Sequence, residues 1–211
     1  MNITILGAGN MSSAFVKQLT RAGHTVRVTT RNMEKARALA AAHRGAIAAA
    51  PDEALADSSV VIVATGYADA VAALESLGSL EGKVVIDITN PLSADYMSLT
   101  IGHDTSAAEE IAKAVPGAQV VKAFNTVFAD VLAEGAAFSS GQTVPVFLAS
   151  DSERARQVAR TLVESMGFKA VDAGPLRNAR YLEPLAGLNI YLGYGAGHGT
   201  AIAPTWIRKA A

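Results

Sequence analysis

Short β-branched runs alternate along this chain with segments whose apolar residues recur every three or four positions. Asn2-Ile3-Thr4-Ile5-Leu6 reads as a strand, and Thr25-Val26-Arg27-Val28-Thr29 as a second. Between them Gly7-Ala8-Gly9 breaks the chain, and Asn10-Met11-Ser12-Ser13 leads into a helix carrying Ala14, Phe15, Val16 and Leu19. Asn32 is placed to cap a second helix, through about residue 42, whose inner face is Met33, Ala36, Leu39 and Ala40. A short third strand at Ala46-Ile47-Ala48 and a brief proline-initiated helix over 51–56 follow. The run Ser59 to Ala64 is apolar without alternation after its first residue, as expected of a central parallel strand covered on both faces.

Further on, the pattern predicts a helix over 68–77, a strand over 83–88, a loop over 93–105, a helix over 106–115 and a sixth strand over 119–123. Strands at 144–149 and 168–172 flank a helix capped by Asp151-Ser152-Glu153, and both are expected to extend the sheet, with Pro145 near an edge. The tail from Ala173-Gly174-Pro175 is helical, its stripe of Leu176, Ala179, Leu182, Leu185, Ala186 and Leu188 interrupted at Pro184. Strands alternating with helices imply an α/β fold, a doubly wound and mostly parallel sheet with right-handed crossovers, extra C-terminal strands and a helical cap. No linker divides it. The expectation is one domain over 1–211, with 1–126 as a nucleotide-binding core of Rossmann type and 127–211 as an integral extension.

Composition removes several function classes. Half of the 211 residues are hydrophobic, 18% are charged and the net charge is −1, so no basic face is available for nucleic acid. Cysteine is absent, which excludes disulfides, a thiol nucleophile and Cys-ligated metals. The N-terminus enters a strand without a signal-peptide pattern, and no run of about 18 apolar residues could span a bilayer. A cytoplasmic protein without a membrane partner is the expectation. His24, His43, His103 and His198 are scattered, with neither metal-ligand spacing nor a Ser–His–Asp grouping, so no metal site and no catalytic side chain is assigned.

The candidate chemistry lies in the first strand–turn–helix–strand. Gly7 allows the tight turn, and Gly9 lets the backbone approach a pyrophosphate at the positive end of the following helix. Ser12 stands where the usual third glycine would be, and is small enough for helix–strand packing. An NAD site places an acid at the end of the second strand, but this chain has Thr29-Thr30-Arg31-Asn32 there and no acid before Glu34. Thr30, Arg31 and Lys35 instead suit the 2′-phosphate of NADP. Ala64 and Thr65 lie at the carboxyl edge of the central strand, where open α/β sheets bind ligands. Asn90 can offer its amide to a cofactor's ribose or carboxamide. His103 sits in a loop on that edge, and His198 in a glycine-rich segment read as a flexible connection, with a lid as the alternative. Trp206 is expected to anchor the tail.

With these elements placed, the chain resembles the family of NADP oxidoreductases that act on coenzyme F420, a deazaflavin, and the related cytoplasmic oxidoreductase domain of membrane metalloreductases. The resemblance spans nearly the whole chain. It rests on Leu6-Gly7-Ala8-Gly9-Asn10-Met11, Thr30-Arg31 with Lys35, the run Val121 to Thr126, and Asp172-Ala173-Gly174-Pro175-Leu176-Arg177-Asn178-Ala179-Arg180. It implies NADP(H) as cofactor, with the turn on the pyrophosphate, Thr30, Arg31 and Lys35 on the 2′-phosphate, and Tyr67, Val71, Asn90 and Ala123 along the rest of the groove. Pro91, Phe124, Asn125 and Thr126 would wall the nicotinamide side. Lys122 to Thr126 is closer to the metalloreductase version, which leaves the small-molecule acceptor open among F420, a flavin, a quinone-like compound and another small acceptor. A homodimer is expected. A non-catalytic NADP(H)-binding sensor would keep Gly7, Gly9, Arg31 and Lys35 without needing open space over the nicotinamide.

Overall fold

The computed structural model describes residues 1–138, 141–207 and 209. Six parallel strands form the main sheet: β1 (Asn2–Leu6), β2 (Thr25–Thr29), β3 (Ala46–Ala48), β4 (Val60–Val63), β5 (Val84–Asp87) and β6 (Gln119–Lys122). Their spatial order is β3-β2-β1-β4-β5-β6. The order reverses at β1, so β2 and β4 flank it, with Ile5 in register with Val28 on one side and Ile62 on the other. A ligand crevice opens at such a switch point, beyond the carboxyl ends of the strands.

Among the described residues seven α-helices cover the sheets: α1 (Asn10–Arg21), α2 (Met33–Ala41), α3 (Tyr67–Glu75), α4 (Ala107–Ala114), α5 (Ala129–Glu134), α6 (Glu153–Ser165) and α7 (Ala179–Ile190). Two apolar clusters lie on the two faces of the main sheet. Ile3, Ile5, Val28, Ile62 and Ile86 pack with Phe15, Leu19 and Leu162 on one face; Val61, Val63 and Val85 pack with Leu74 and Ile111 on the other. The unbroken apolar runs of β4 and β5 are the consequence of covering both faces.

Capping follows the sequence. Asn32 accepts from the N–H groups of Glu34 and Lys35 at 3.1 and 3.3 Å, Ser106 from Glu109 N–H at 3.2 Å, and Ser152 from Ala155 N–H at 3.1 Å.

Two expectations are corrected. Residues 51–56 form successive turns rather than a helix, with bonds such as Ala54 N–H to Pro51 O closing over three residues. The strands β7 (Pro145–Leu148) and β8 (Lys169–Asp172) make a separate parallel pair instead of extending the main ladder. They meet β6 through one antiparallel bridge, Lys122 with Ala149 at 2.9 and 3.1 Å. Pro145 has no N–H to give a neighbour, and side-chain bonds from Ser150 to Val120 O (2.6 Å) and from Ser152 to Gln119 (2.8 Å) replace ladder bonds. The segment after α7 carries a π-helical turn, Tyr191–Gly195, followed by bonds from His198 N–H to Leu192 O and Gly199 N–H to Gly193 O, both 3.0 Å.

Candidate functional site

The crevice is built around the first turn of α1. Gly7 adopts φ +128°, and its N–H donates to Thr29 O at 2.8 Å, tying the turn to the end of β2. A Cβ there would stand 2.5 Å from the Ala64 carbonyl oxygen, so the close passage of the turn past β4 demands glycine. Gly9 caps α1 without a side-chain hydrogen bond, there is no acid in the first turn, and a Cβ on Gly9 would meet nothing within 4 Å. The helix start therefore presents backbone N–H groups to open space. That is the chemistry a pyrophosphate needs.

Two cavities flank this turn. A groove of about 490 Å³ is lined by Gly7, Ala8, Gly9, Thr30, Arg31, Lys35, Ala64, Thr65 and Asp69. Arg31 is exposed and its guanidinium pairs with Asp69 of α3 at 3.1 Å; Lys35 has no ion pair among the described residues. On the other side, a cavity of about 540 Å³ has Met11, Asn90, Phe124, Asn125 and Thr126 among its walls, with Ala186, Asn189 and Tyr194 from the C-terminal segment. The groove is polar and cationic at its rim. The cavity is mainly apolar.

Phe124 shapes that second cavity through its backbone. It is 1% exposed with φ +58°, a left-handed conformation that costs a bulky residue about 1–3 kcal/mol. Edge contacts to Phe15 (4.9 Å between ring centroids) and Phe168 (6.3 Å) hold its ring in the core. The main chain thus turns sharply after β6 and presents Asn125. Asn125 and Asn90 bond reciprocally: Asn90 Nδ2 to Asn125 O at 2.9 Å, and Asn125 Nδ2 to Asn90 Oδ1 at 3.1 Å. Asn125 Nδ2 also donates to Leu182 O at 2.8 Å, and Asn189 Nδ2 to Thr126 O at 3.2 Å, which fastens α7 across the cavity.

Beneath these turns lies a buried ion cluster absent from the sequence expectation. Lys122 Nζ is 2.8 Å from both Asp87 Oδ2 and Glu183 Oε1 and also donates to Thr89 O. Glu183 in turn accepts from the N–H groups of Ala107 and Ala108 at the start of α4, at 2.9 and 3.2 Å. Burial pushes its carboxyl above the ordinary range, and Lys122 opposes that shift. A sequence signal existed: Asp87 and Lys122 are charged ends of neighbouring apolar strands and occupy paired register positions.

The sequence-assigned residues divide accordingly. Gly7, Ala8, Gly9, Thr30, Arg31, Lys35, Ala64 and Thr65 line the groove, while Met11, Asn90, Phe124 and Asn125 line the cavity. Asn10 is exposed at the start of α1 beside both. Tyr67 and Val71 of α3 are half-buried and line neither; burial, and then the carboxylates of Glu110, Glu183 and Asp87, push the Tyr67 hydroxyl up. Ala123 and Pro91 are buried. The Ala123 side chain is in the core, leaving only its main chain for any ligand, and Pro91 O is held by Thr100 N–H at 2.7 Å. His103 lines a separate open groove with Arg177, Arg180 and Tyr181. Trp206 is 67% exposed, with one edge contact to Phe147 at 5.2 Å.

Among the described residues no group of three His, Asp or Glu side chains could hold a metal, and no helix is long and apolar enough to cross a membrane. Residues 2–91 match the family of coenzyme F420-dependent NADP oxidoreductases. The F420-dependent NADP reductase of Methanothermobacter marburgensis is 30% identical over 209 residues, covering 91% of this chain and 92% of that protein. The chain belongs to the F420-dependent NADP oxidoreductase family. It is an NADP-dependent oxidoreductase. A crystal structure from Arthrobacter sp. FB24, of a protein assigned provisionally as an F420-dependent NADP reductase, covers 99% of this oxidoreductase with a TM-score of 0.89 at 29% identity. Metalloreductase STEAP3 of Rattus norvegicus is 29% identical over 184 residues, which span 87% of this chain but 36% of that protein.

Proposed function

We propose that this oxidoreductase transfers a hydride between NADP(H) in the crevice and a flat, flavin-like acceptor, coenzyme F420 foremost, in the apolar cavity. One observation carries the reading: an open cavity of about 540 Å³ adjoins the nucleotide groove where a sensor would need none. The bound nicotinamide supplies the hydride, so the protein has to position, desolvate and exclude water rather than provide a nucleophile.

The residues divide this work. The backbone N–H groups at the start of α1 hold the pyrophosphate. Thr30, Arg31 and Lys35 hold the 2′-phosphate. Asn90 and Asn125, fixed by each other and by Leu182 O, set the floor beneath the nicotinamide. Phe124, Phe128 and Ala186 keep the cavity apolar, and Tyr194, set edge-on to Phe128 at 5.7 Å, stands at its mouth. A homodimer in the cytoplasm belongs to the same proposal.

The direct test is NADPH oxidation with F420, FMN, FAD, a quinone and a ferric chelate offered in turn. Turnover with F420 is expected. Tight NADPH binding with no turnover on any acceptor would favour the sensor. Arg31→Ala is expected to weaken NADPH by about 1.5–3 kcal/mol, the worth of a charge-assisted contact, and to leave NADH nearly unchanged in a fluorescence titration. Equal losses for both nucleotides would show that Arg31 does not read the phosphate.

A further inference from the structure

Arg31 follows β2 and Asp69 belongs to the first turn of α3, which follows β4. These two strands flank β1 on opposite sides, so the 3.1 Å Arg31–Asp69 contact crosses the crevice above the glycine turn. Both residues line the same groove as Gly7 and Gly9. Asp69 is also the one carboxylate among the described residues that line it, together with the cations Arg31 and Lys35. A binding site for a phosphate dianion gains nothing from a carboxylate at its rim unless that carboxylate has another task. The Arg31 side chain is 86% exposed and so is not immobilised by packing; Asp69 is its one ion-pair partner among the described residues.

We propose that Asp69 is a latch that sets NADPH affinity and selectivity: it holds Arg31 across the groove of the free protein and competes with the 2′-phosphate for it. The inference rests on the reading of this groove as an NADP(H) site. Binding NADPH transfers the guanidinium from the carboxylate to the phosphate, so the Arg31–Asp69 pair has to break and its loss weakens NADPH binding. NADH makes no claim on Arg31, so the latch taxes NADPH alone.

The size of the effect follows from the exposure of the pair. An exposed ion pair is worth at most a few-fold in an equilibrium, so removing its acidic partner is expected to tighten NADPH by about two- to fivefold. The experiment is fluorescence titration of NADPH and NADH against the unaltered protein, its Asp69→Asn and Arg31→Ala variants, and the double variant. Asp69→Asn keeps the size of the side chain at an exposed position and leaves folding intact. The expected result is tighter NADPH, unchanged NADH, and a gain that disappears in the Arg31→Ala background. Weaker or unchanged NADPH binding in Asp69→Asn would overturn the latch and make Asp69 an orienting or idle group. A gain that persists without Arg31 would overturn it as well, leaving general charge repulsion. Failure of the functional reading looks different: the unaltered protein would not bind NADPH, or Arg31→Ala would weaken NADPH and NADH alike.

Discussion

Lys122→Ala is expected to remove about 3–5 kcal/mol of folding stability, because it strands buried carboxylates that have no other cation among the described residues. Lys122 and Asp87 are wholly buried and Glu183 is 2% exposed at its side chain, so water cannot replace the lost ammonium. The loss reaches beyond one contact. Lys122 joins β6 to β5 through Asp87, to the turn before Asn90 through Thr89 O, and to α7 through Glu183. We propose on this ground that the C-terminal extension and the nucleotide-binding core unfold as one unit. Urea denaturation followed by circular dichroism and by Trp206 fluorescence checks both points: the two signals should move together to lower urea. A loss under about 1 kcal/mol would mean that the carboxylates simply take up protons and the cluster contributes little.

Glu183→Gln is the informative companion. It removes one buried charge while keeping an acceptor for the start of α4, and it leaves Lys122 paired with Asp87. The folded-state carboxyl of Glu183 is raised, so its contribution is fully present below the ordinary carboxylate range and is lost as pH rises through the folded value. Glutamine has no such dependence. The stability of the unaltered protein relative to Glu183→Gln is therefore expected to fall as pH rises across that window.

Local residues made much of the fold readable. The strand–glycine–helix order, the apolar runs of β4 and β5, and the caps Asn32, Ser106 and Ser152 act within a few residues of one another, and periodicity reports such interactions. The groove residues Gly7, Gly9, Thr30 and Arg31 were legible for the same reason, since one continuous stretch of β1–α1–β2 carries them. What escaped depends on partners distant in sequence. Glu183 meets Lys122 from 61 residues away and bonds α4 across 76. Asp69 meets Arg31 across 38 residues, and no local pattern marks an exposed acid on α3 as part of the groove beside Gly7 and Gly9. The separation of β7 and β8 from the main ladder also turns on a tertiary fact, the single bridge at Ala149, although Pro145 hinted at it. Burial of Ala123 and Pro91 could not be told from the same residues facing a ligand, because small apolar side chains suit either place.

Gly7→Ala is expected to cost about 2–5 kcal/mol in stability and to abolish useful NADPH binding, the sum of an unfavourable backbone region and an unrelieved overlap. The backbone at Gly7 has φ +128°, which an alanine adopts only under strain. Its Cβ would also stand 2.5 Å from the Ala64 carbonyl oxygen and 3.1 Å from Ser12 Oγ. A side chain could swing aside, but the nearest obstacle is backbone. Ala64 is in turn fixed by its N–H bond to Leu6 O at 2.9 Å, so the turn and the end of β4 would have to separate together. Separation widens the crevice at the point where the start of α1 is proposed to meet a pyrophosphate, which couples the structural cost to the functional one. Gly9→Ala divides the two effects. Its Cβ would enter open space from an ordinary extended conformation, so folding should be preserved while the added methyl stands between the backbone and the nucleotide. Thermal unfolding and NADPH titration of both variants settle the matter: Gly7→Ala should lose stability and binding, and Gly9→Ala binding alone. Full stability in Gly7→Ala would mean that the Ala64 carbonyl can yield. Undiminished NADPH affinity in Gly9→Ala would place the pyrophosphate away from this turn.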